Sequence, residues 1–323
     1  MKKLLAMVLA LVMTLSLAVS ANAAFKDDKD ISADYAEAAA VLDGMGVFKG
    51  YEDGEFKPLN NITRAEVATI IYRIYTGDVA KNDKSGLYAT YNKFSDMTGA
   101  GWAAGYIGYC ANAELVKGYP DGTFKPSGNV TGYEVLAMIL RAVGYDKNGE
   151  FSGADWALNV AKYAEQLGVL KHVAKTTDLS APATRELVAE ILFQAIQKDQ
   201  VTYTPAFGYQ TDKALKLDQK TLGAKNFKLD MDDSTSDIWG RPTHTWTYST
   251  GDKKTEFVAT PDASFNEATS ECDICEALGE KTSAKVVEVY VNGDNKSTEA
   301  KGLVDTYKAT ATKDMVGEQG RIA

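Results

Sequence analysis

Gly50-Tyr51-Glu52-Asp53-Gly54-Glu55-Phe56-Lys57-Pro58 returns as Gly118-Tyr119-Pro120-Asp121-Gly122-Thr123-Phe124-Lys125-Pro126, at an offset of 68 residues. Each copy leads into a hydrophobic segment opened by a threonine, Thr63 and Thr131, at the same offset. Self-similarity at a fixed spacing marks a supersecondary unit used repeatedly, each unit too small to bury its own core. Within the stretch, Asp53-Gly54 and Asp121-Gly122 read as turn formers, because Asp-Gly supplies positive φ at little cost. Phe56, just past the first turn, is placed to tuck beneath its loop.

Working outward, the first unit spans residues 25–76. A helix is predicted over 34–42, with Tyr35, Ala38, Ala39 and Leu42 on one face and Gly44 and Gly46 beyond its end. Thr63-Arg64-Ala65-Glu66 is a capping box: the threonine hydroxyl accepts from the third amide and Glu66 reaches back to the cap amide. Val67, Ile70, Ile71 and Ile74 follow as a core-facing stripe. The second unit, 94–145, repeats the plan with a helix over 102–113, the cap Thr131 with Glu134, and the stripe Val135, Met138, Ile139 and Ala142. The polar linker between them, about 77–92, is predicted to be a surface loop.

Residues 151–198 form a third, degenerate unit. Phe151 and Trp156 open it, a helix runs over 156–167, and 171–178 replaces the Asp-Gly turn. Thr184 and Arg185 open a last helix whose stripe, Val188, Ile191, Leu192 and Ala195, lies 121 residues after the first. Leu187 stands where the capping acid was, so Thr184 caps alone, a contribution of about 1 kcal/mol.

Residues 1–23 are predicted to be a signal peptide. Lys2 and Lys3 form its basic start, 4–19 its apolar core, and Ala21-Asn22-Ala23 its cleavage site. No other run is long and apolar enough to span a bilayer, so the expected product is exported and not membrane-embedded. From residue 200 to 323 the texture turns β-rich. Phe227, Leu229 and Met231 alternate with polar residues, as do Trp246 and Tyr248. Val287, Val289 and Val291 precede the hairpin signal Asn292-Gly293, and 306–312 is another β-prone run. The chain stops soon afterwards at Ala323, which suggests a region that is incomplete.

A net charge of -9 argues against nucleic acid as a partner, since no basic stripe neutralises phosphates. Three cysteines are too few for a disulfide scaffold. Cys272 and Cys275 read as a local disulfide or idle thiols, because zinc needs a second pair that Cys110, His172 and His244 do not supply. The acidic run Asp230, Asp232, Asp233, Asp237 fails the calcium-loop pattern at Thr235 and Arg241. No catalytic constellation is visible, and neither an enzyme nor a cofactor is expected.

The units resemble S-layer homology motifs. The resemblance rests on Phe25 to Asp27, Phe94 to Asp96, Trp102-Ala103, both Gly-Tyr-x-Asp-Gly-x-Phe-x-Pro stretches, Thr63 to Glu66, and Thr184-Arg185. It implies an α-helical three-motif domain, a pseudo-threefold helix bundle with short extended segments, followed here by the β-rich C-terminal region. It also implies a function: attachment to the cell wall by binding secondary wall polysaccharide, often pyruvylated, in grooves between motifs. Arg64 and Arg185 fall at the family's main ligand-binding position; Asp27, Asp96, Trp102 and Trp156 complete the implied ligand set. Each tryptophan also begins an apolar helix face, which favours a core anchor over a sugar platform.

Chemistry supports the arginines. A pyruvate ketal presents a carboxylate beside a sugar ring, and guanidinium offers it a permanently charged, bidentate fork. Free amides at a helix start would add anion affinity. The second unit departs from the pattern, with Gly132 at the arginine position, so two competent grooves at most are expected. The implied protein is a non-enzymatic surface component displaying its C-terminal region, with other surface-layer subunits as further partners. The alternative is the wall-anchoring part of a larger exported hydrolase.

Overall fold

The computed structural model describes residues 25–79, 83–91, 93–211, 214, 221–236, 242–248, 253–258, 265–266, 271–272, 290–291 and 294–295. The predicted signal peptide, Asp237, Arg241, Cys275, Val287, Val289, Asn292-Gly293 and the 306–312 run lie outside the described residues. Contacts divide the chain into two units, one comprising Ala23–Asp230 with Thr247–Lys253, the other within Met231–Trp246 and after Lys254. The first therefore continues past residue 200, well beyond the last helical repeat.

In the first unit, α1 (Ala33–Gly44) and α2 (Arg64–Thr76) flank the first turn. The turn holds Gly54 at φ 82°, a conformation open to glycine at no steric cost. Phe56 is fully buried beneath the turn, between the rings of Phe25 and Phe48. Both halves of the Thr63 box form: the hydroxyl accepts from the Glu66 amide at 3.3 Å, and the Glu66 carboxylate accepts from the Thr63 amide at 2.8 Å. The second repeat supplies α3 (Ala104–Asn112), preceded by a 3-10 turn at Gly101–Ala103, and α4 (Gly132–Val143), capped in the same way by Thr131 and Glu134. The third supplies α5 (Trp156–Gln166) and α6 (Arg185–Ile196). There Thr184 caps through its hydroxyl alone, since Leu187 has no acid to return. Every residue of α6 is buried, and α1 packs along it.

The residues just before the three cap threonines meet. The Ile62 amide donates to the Ala183 carbonyl at 3.1 Å, the Ala183 amide to Val130 at 2.8 Å, and the Val130 amide to Ile62 at 3.1 Å. These three bonds close a ring, so the starts of α2, α4 and α6 converge on one place. Ile62, Val130 and Ala183 are all buried there.

Two elements differ from the sequence expectations. The linker is not simply a surface loop: a 3-10 turn at Ser85–Tyr88 packs on α3, and Ser85 is buried. The contact is close because α3 presents glycines. A Cβ at Gly105 would stand 2.2 Å from the Ser85 carbonyl oxygen, and one at Gly108 would stand 2.4 Å from that of Tyr88. Tyr88 and Tyr72 then meet Tyr109 edge-on, at 4.8 and 5.0 Å. The second difference is Phe227, which does not start a strand. It ends the short helix α7 (Leu222–Phe227), capped by the Thr221 hydroxyl and stopped by Lys228 in the left-handed region. The Asn226 side chain of α7 donates to the Ile74 and Tyr75 carbonyls, both at 2.8 Å, satisfying the end of α2.

Ahead of α7, strands β1 (Val201–Thr204) and β2 (Gly208–Thr211) form an antiparallel hairpin pairing Val201 with Thr211 and Tyr203 with Tyr209. The Tyr209 hydroxyl donates to Glu150 at 2.7 Å and accepts from the Lys147 amide at 2.8 Å, fastening the hairpin to the segment between the second and third repeats. Strands β3 (Asp230–Ser236), β4 (Pro242–Tyr248) and β5 (Lys253–Val258) lie side by side in that order. Asp232 and Asp233, neighbours on β3, point to opposite faces of it, as strand alternation requires. Two further antiparallel pairs are described: β6 (Phe265–Asn266) with β7 (Glu271–Cys272), and β8 (Tyr290–Val291) with β9 (Asp294–Asn295). The last pair flanks Asn292-Gly293, the position of the hairpin signal.

Candidate functional site

Arg64 and Arg185 occupy two matching junctions between repeats. Arg64, at the start of α2, reaches into the second repeat and is only 3% exposed. Its Nε donates to the Phe124 carbonyl at 2.8 Å, one terminal nitrogen to the Lys117 carbonyl at 3.0 Å, and the other to Glu134 at 2.9 Å. The guanidinium plane lies 4.7 Å from the ring centres of both Tyr119 and Phe124. Arg185, at the start of α6, reaches into the first repeat and is likewise 3% exposed. It donates to the Phe56 carbonyl at 2.6 Å and the Lys49 carbonyl at 2.9 Å, and lies among the rings of Phe48, Tyr51 and Phe56. Its distance to Glu66 is longer, 3.6 Å. Burial works against the charge on Arg185 and lowers its pKa from the ordinary arginine value, while Tyr51 and Glu66 oppose that shift.

Sequence reasoning assigned Glu66 and Glu134 to capping alone. Each carboxylate has a second task. Glu134 accepts from the Thr131 amide through one oxygen and from both Tyr119 (2.7 Å) and Arg64 through the other. Glu66 accepts from Thr63 through one oxygen, while the other takes the Tyr51 hydroxyl at 3.3 Å and faces Arg185. Burial and the bond to Glu134 push the Tyr119 hydroxyl up to about 12. The signal was present in the 68-residue register, which carries Lys49, Tyr51, Phe56 and Glu66 onto Lys117, Tyr119, Phe124 and Glu134.

At the third junction both charged partners are missing together. Gly132 replaces the arginine, and Leu187 replaces the acid that the register would set against it. A Cβ at Gly132 would stand 2.8 Å from the Leu179 side chain, so leucine fills the space beside it. Near the degenerate turn, Glu190 is buried, with His172 Nδ1 at 2.9 Å. Burial raises the Glu190 pKa, and His172 opposes that shift.

The remaining candidates separate into two kinds. Asp27 accepts the Phe56 and Lys57 amides, both at 2.7 Å; Asp96 accepts the Phe124 and Lys125 amides at 2.9 and 2.7 Å. These bonds hold Lys57 and Lys125 at φ 57° and 58°, a region non-glycine residues rarely enter. Asp53 and Asp121 accept the amides two residues ahead, inside the turns. Trp102 is no core anchor: it is 65% exposed, with the Tyr106 ring 6.2 Å away. The 3-10 turn ahead of α3 lifts it off the buried face. Trp156 is half-buried and edge-on to Tyr133 at 6.5 Å.

The helix-start amides are not free for a ligand. The amides of Arg64 and Ala65 donate to the Gly128 and Pro126 carbonyls, and those of Arg185 and Glu186 to Asn60 and Pro58. The turn of a neighbouring repeat has taken the place an anion would occupy.

A family model described as "S-layer homology domain" matches residues 24–68 and 93–136. The chain is similar to the "Middle cell wall protein" of Brevibacillus brevis, 31% identical over 239 residues, covering 72% of this chain and 21% of that protein. It is similar to the "Surface layer protein" of Brevibacillus choshinensis, 30% identical, covering 72% of this chain and 20% of that one. It also matches a "Cellulosome-anchoring protein" of Acetivibrio thermocellus at 42% identity, covering 29% of this chain and 20% of the relative. The chain thus spans about a fifth of the length of these curated relatives. Its repeated turn, its doubled capping boxes and the family match agree: the chain is an S-layer homology domain protein.

Proposed function

We propose that the chain attaches non-covalently to the bacterial cell wall by binding secondary wall polysaccharide at the junctions between its three repeats. In this reading the repeats stand in pseudo-threefold order about the ring of Ile62, Val130 and Ala183, and the protein is exported. The β-rich region is then displayed at the surface, where other layer subunits are its natural partners. The observation that carries the reading is the doubled junction: an arginine on two backbone carbonyls and aromatic faces, opposed by one glutamate, built once at Arg64 and again at Arg185.

Both arginines are enclosed, so a ligand carboxylate reaches them by taking over from Glu134 or Glu66. Such an exchange replaces one ion pair with another and keeps the guanidinium paired, which avoids the cost of a lone buried charge. Glu66 and Glu134 retain their bonds to the cap amides meanwhile. At 3.6 Å the Arg185 pair is looser than the 2.9 Å pair of Arg64, so the Arg185 junction opens more readily. Asp27 and Asp96 hold the turns that wall each junction, and Trp102 and Trp156 offer ring faces to a sugar. Gly132 leaves the third junction without a cation, which limits the chain to two arginine sites.

The test is binding of the full chain to isolated wall sacculi. Arg64→Ala combined with Arg185→Ala is expected to weaken binding by roughly a hundredfold, two charge-assisted contacts being lost. Of the single variants, Arg185→Ala should weaken it more. Far-UV circular dichroism must show a native spectrum for each variant. Folded double-variant protein that binds as the wild type does would rule the arginine junctions out.

A further inference from the structure

The third repeat alone places a carboxylate halfway along its capped helix. Glu190 stands where the register puts Thr69 in the first repeat and Ala137 in the second. It is 1% exposed, while His172, 2.9 Å away, keeps 45% of its side chain in solvent. Among the described residues no lysine or arginine pairs with Glu190, so its cation is His172. The surroundings are otherwise acidic. Glu37 on α1 works against the charge of Glu190, and Tyr35 on α1 faces Glu186, Glu190 and Asp34. Glu186, one turn earlier on α6, accepts the Ser32 amide and hydroxyl at 2.8 and 3.1 Å. α4, which also packs on α6, carries Tyr133, Glu134 and Arg141, and these are engaged with Trp156, Arg64 and Asp146.

His172 belongs to the segment 171–178 that replaces the Asp-Gly turn, and no residue of that segment is buried. Lys171 and Lys175 on it are exposed. Two local bonds shape it, from the Val173 amide to the Leu170 carbonyl at 3.0 Å and from the Thr177 amide to the Ala174 carbonyl at 2.9 Å. Its side-chain hydrogen bonds to α6 come from His172, whose Nδ1 also lies 3.3 Å from the Gln194 side-chain nitrogen. The segment runs into Leu179, which fills the space beside Gly132 and accepts the Tyr133 amide at 3.1 Å. A stretch with no buried side chain opens at low cost, so the His172 contact sets how readily this one lifts.

One proton serves both partners. It leaves either an imidazolium against the carboxylate or a neutral acid in the buried position. Once that proton is gone, Glu190 is a buried charge with no cation beside it, a costly arrangement. The ring then keeps only a neutral contact, from Nδ1–H to Glu190 or from Gln194 to a bare Nδ1. Burial raises the Glu190 pKa in the folded protein. A group raised in this way adds stability that is complete below its unfolded value and is lost as pH rises through the folded one.

We propose that Glu190 and His172 form a proton-operated latch on the third repeat: closed while the pair holds a proton, it seats 171–179 against the third junction, and it loosens when the proton leaves. The latch is independent of what the other two junctions bind. The test is amide hydrogen exchange of the full chain from about pH 5 to about pH 9, the span in which histidine–carboxylate pairs exchange protons, with rates corrected for their intrinsic rise with pH. Protection at Val173, Thr177 and Tyr133 should fall about tenfold across that span, as a charge-assisted hydrogen bond is given up, while Val67 on α2 stays level. The imidazole nitrogen signals of His172, told apart from those of His244 by their loss in His172→Asn, should titrate with the same midpoint. In Glu190→Gln, whose neutral amide needs no cation, the fall should disappear; should that variant not fold, the wild-type profile and the His172 titration decide the matter. A flat wild-type profile, a fall that does not share the His172 midpoint, or an undiminished fall in folded Glu190→Gln overturns the proposal.

Discussion

Arg64 and Arg185 combine two roles that are usually separate: they are the junction's cations and also its internal clamps. Each ties together segments more than fifty residues apart in sequence. Removing one leaves two carbonyls and a glutamate without their donor, a loss of about 3 kcal/mol by the usual cost of breaking a buried pair. Chemical denaturation should therefore find Arg64→Ala less stable than wild type by that amount; an unchanged midpoint would mean the clamp contributes nothing. Asp146 provides a pH-dependent counterpart. Burial opposes its ionisation, but Lys117, the Phe151 amide and Arg141 together hold its carboxyl below the ordinary value. A depressed folded-state pKa adds stability that is complete above the unfolded value and is lost as pH falls through the folded one. Melting temperature should accordingly drop below about pH 4 in the wild type and drop less steeply in Asp146→Asn. Parallel profiles would remove Asp146 from the acid transition. The positions of both arginines were legible from Thr63-Arg64 and Thr184-Arg185. Their burial was not, because it depends on Phe124 and Phe56 carbonyls brought from another repeat.

The helices were the easiest elements to read, since each carries its own start signal and apolar stripe. Thr63 with Glu66 and Thr131 with Glu134 close their boxes, and Thr184, lacking the acid, makes a single cap bond. The linker was misread for a physical reason: glycine inside a helix looks like a weakness, whereas Gly105 and Gly108 make room for Ser85 and Tyr88. Gly105→Ala drives a methyl into the Ser85 carbonyl, 2.2 Å away, so the 3-10 turn must lift from α3. The expected cost is about 1–3 kcal/mol, the range for overpacking. Amide hydrogen exchange at 85–91 should speed up in that variant, and unchanged protection there would show that the linker accommodates the methyl in place. Phe227 failed as a strand residue because its alternation with Leu229 was outweighed by the helix that the Thr221 cap starts six residues earlier. The pairing of β8 with β9 was legible because the Asn-Gly signal between them in the sequence is a local one.

At the scale of the whole molecule, repetition and its breakdown carry the functional argument. The register that copies Lys49, Tyr51, Phe56 and Glu66 onto Lys117, Tyr119, Phe124 and Glu134 makes two junctions from one design. The ring of Ile62, Val130 and Ala183 brings the three helix starts together whether or not a junction keeps its charges. Gly132 and Leu187 lose arginine and acid as a pair, which leaves no unpaired charge behind. The family was legible in the sequence because its turn and capping residues are contiguous. The contact of His172 with Glu190 was not, because the two meet only when the degenerate turn folds back on α6. Attachment through secondary wall polysaccharide is the central claim, and co-sedimentation of the full chain with intact sacculi and with sacculi stripped of that polymer tests it most directly. The account predicts that protein pellets with intact sacculi and stays in solution with the bare peptidoglycan. Equal pelleting with both would contradict it.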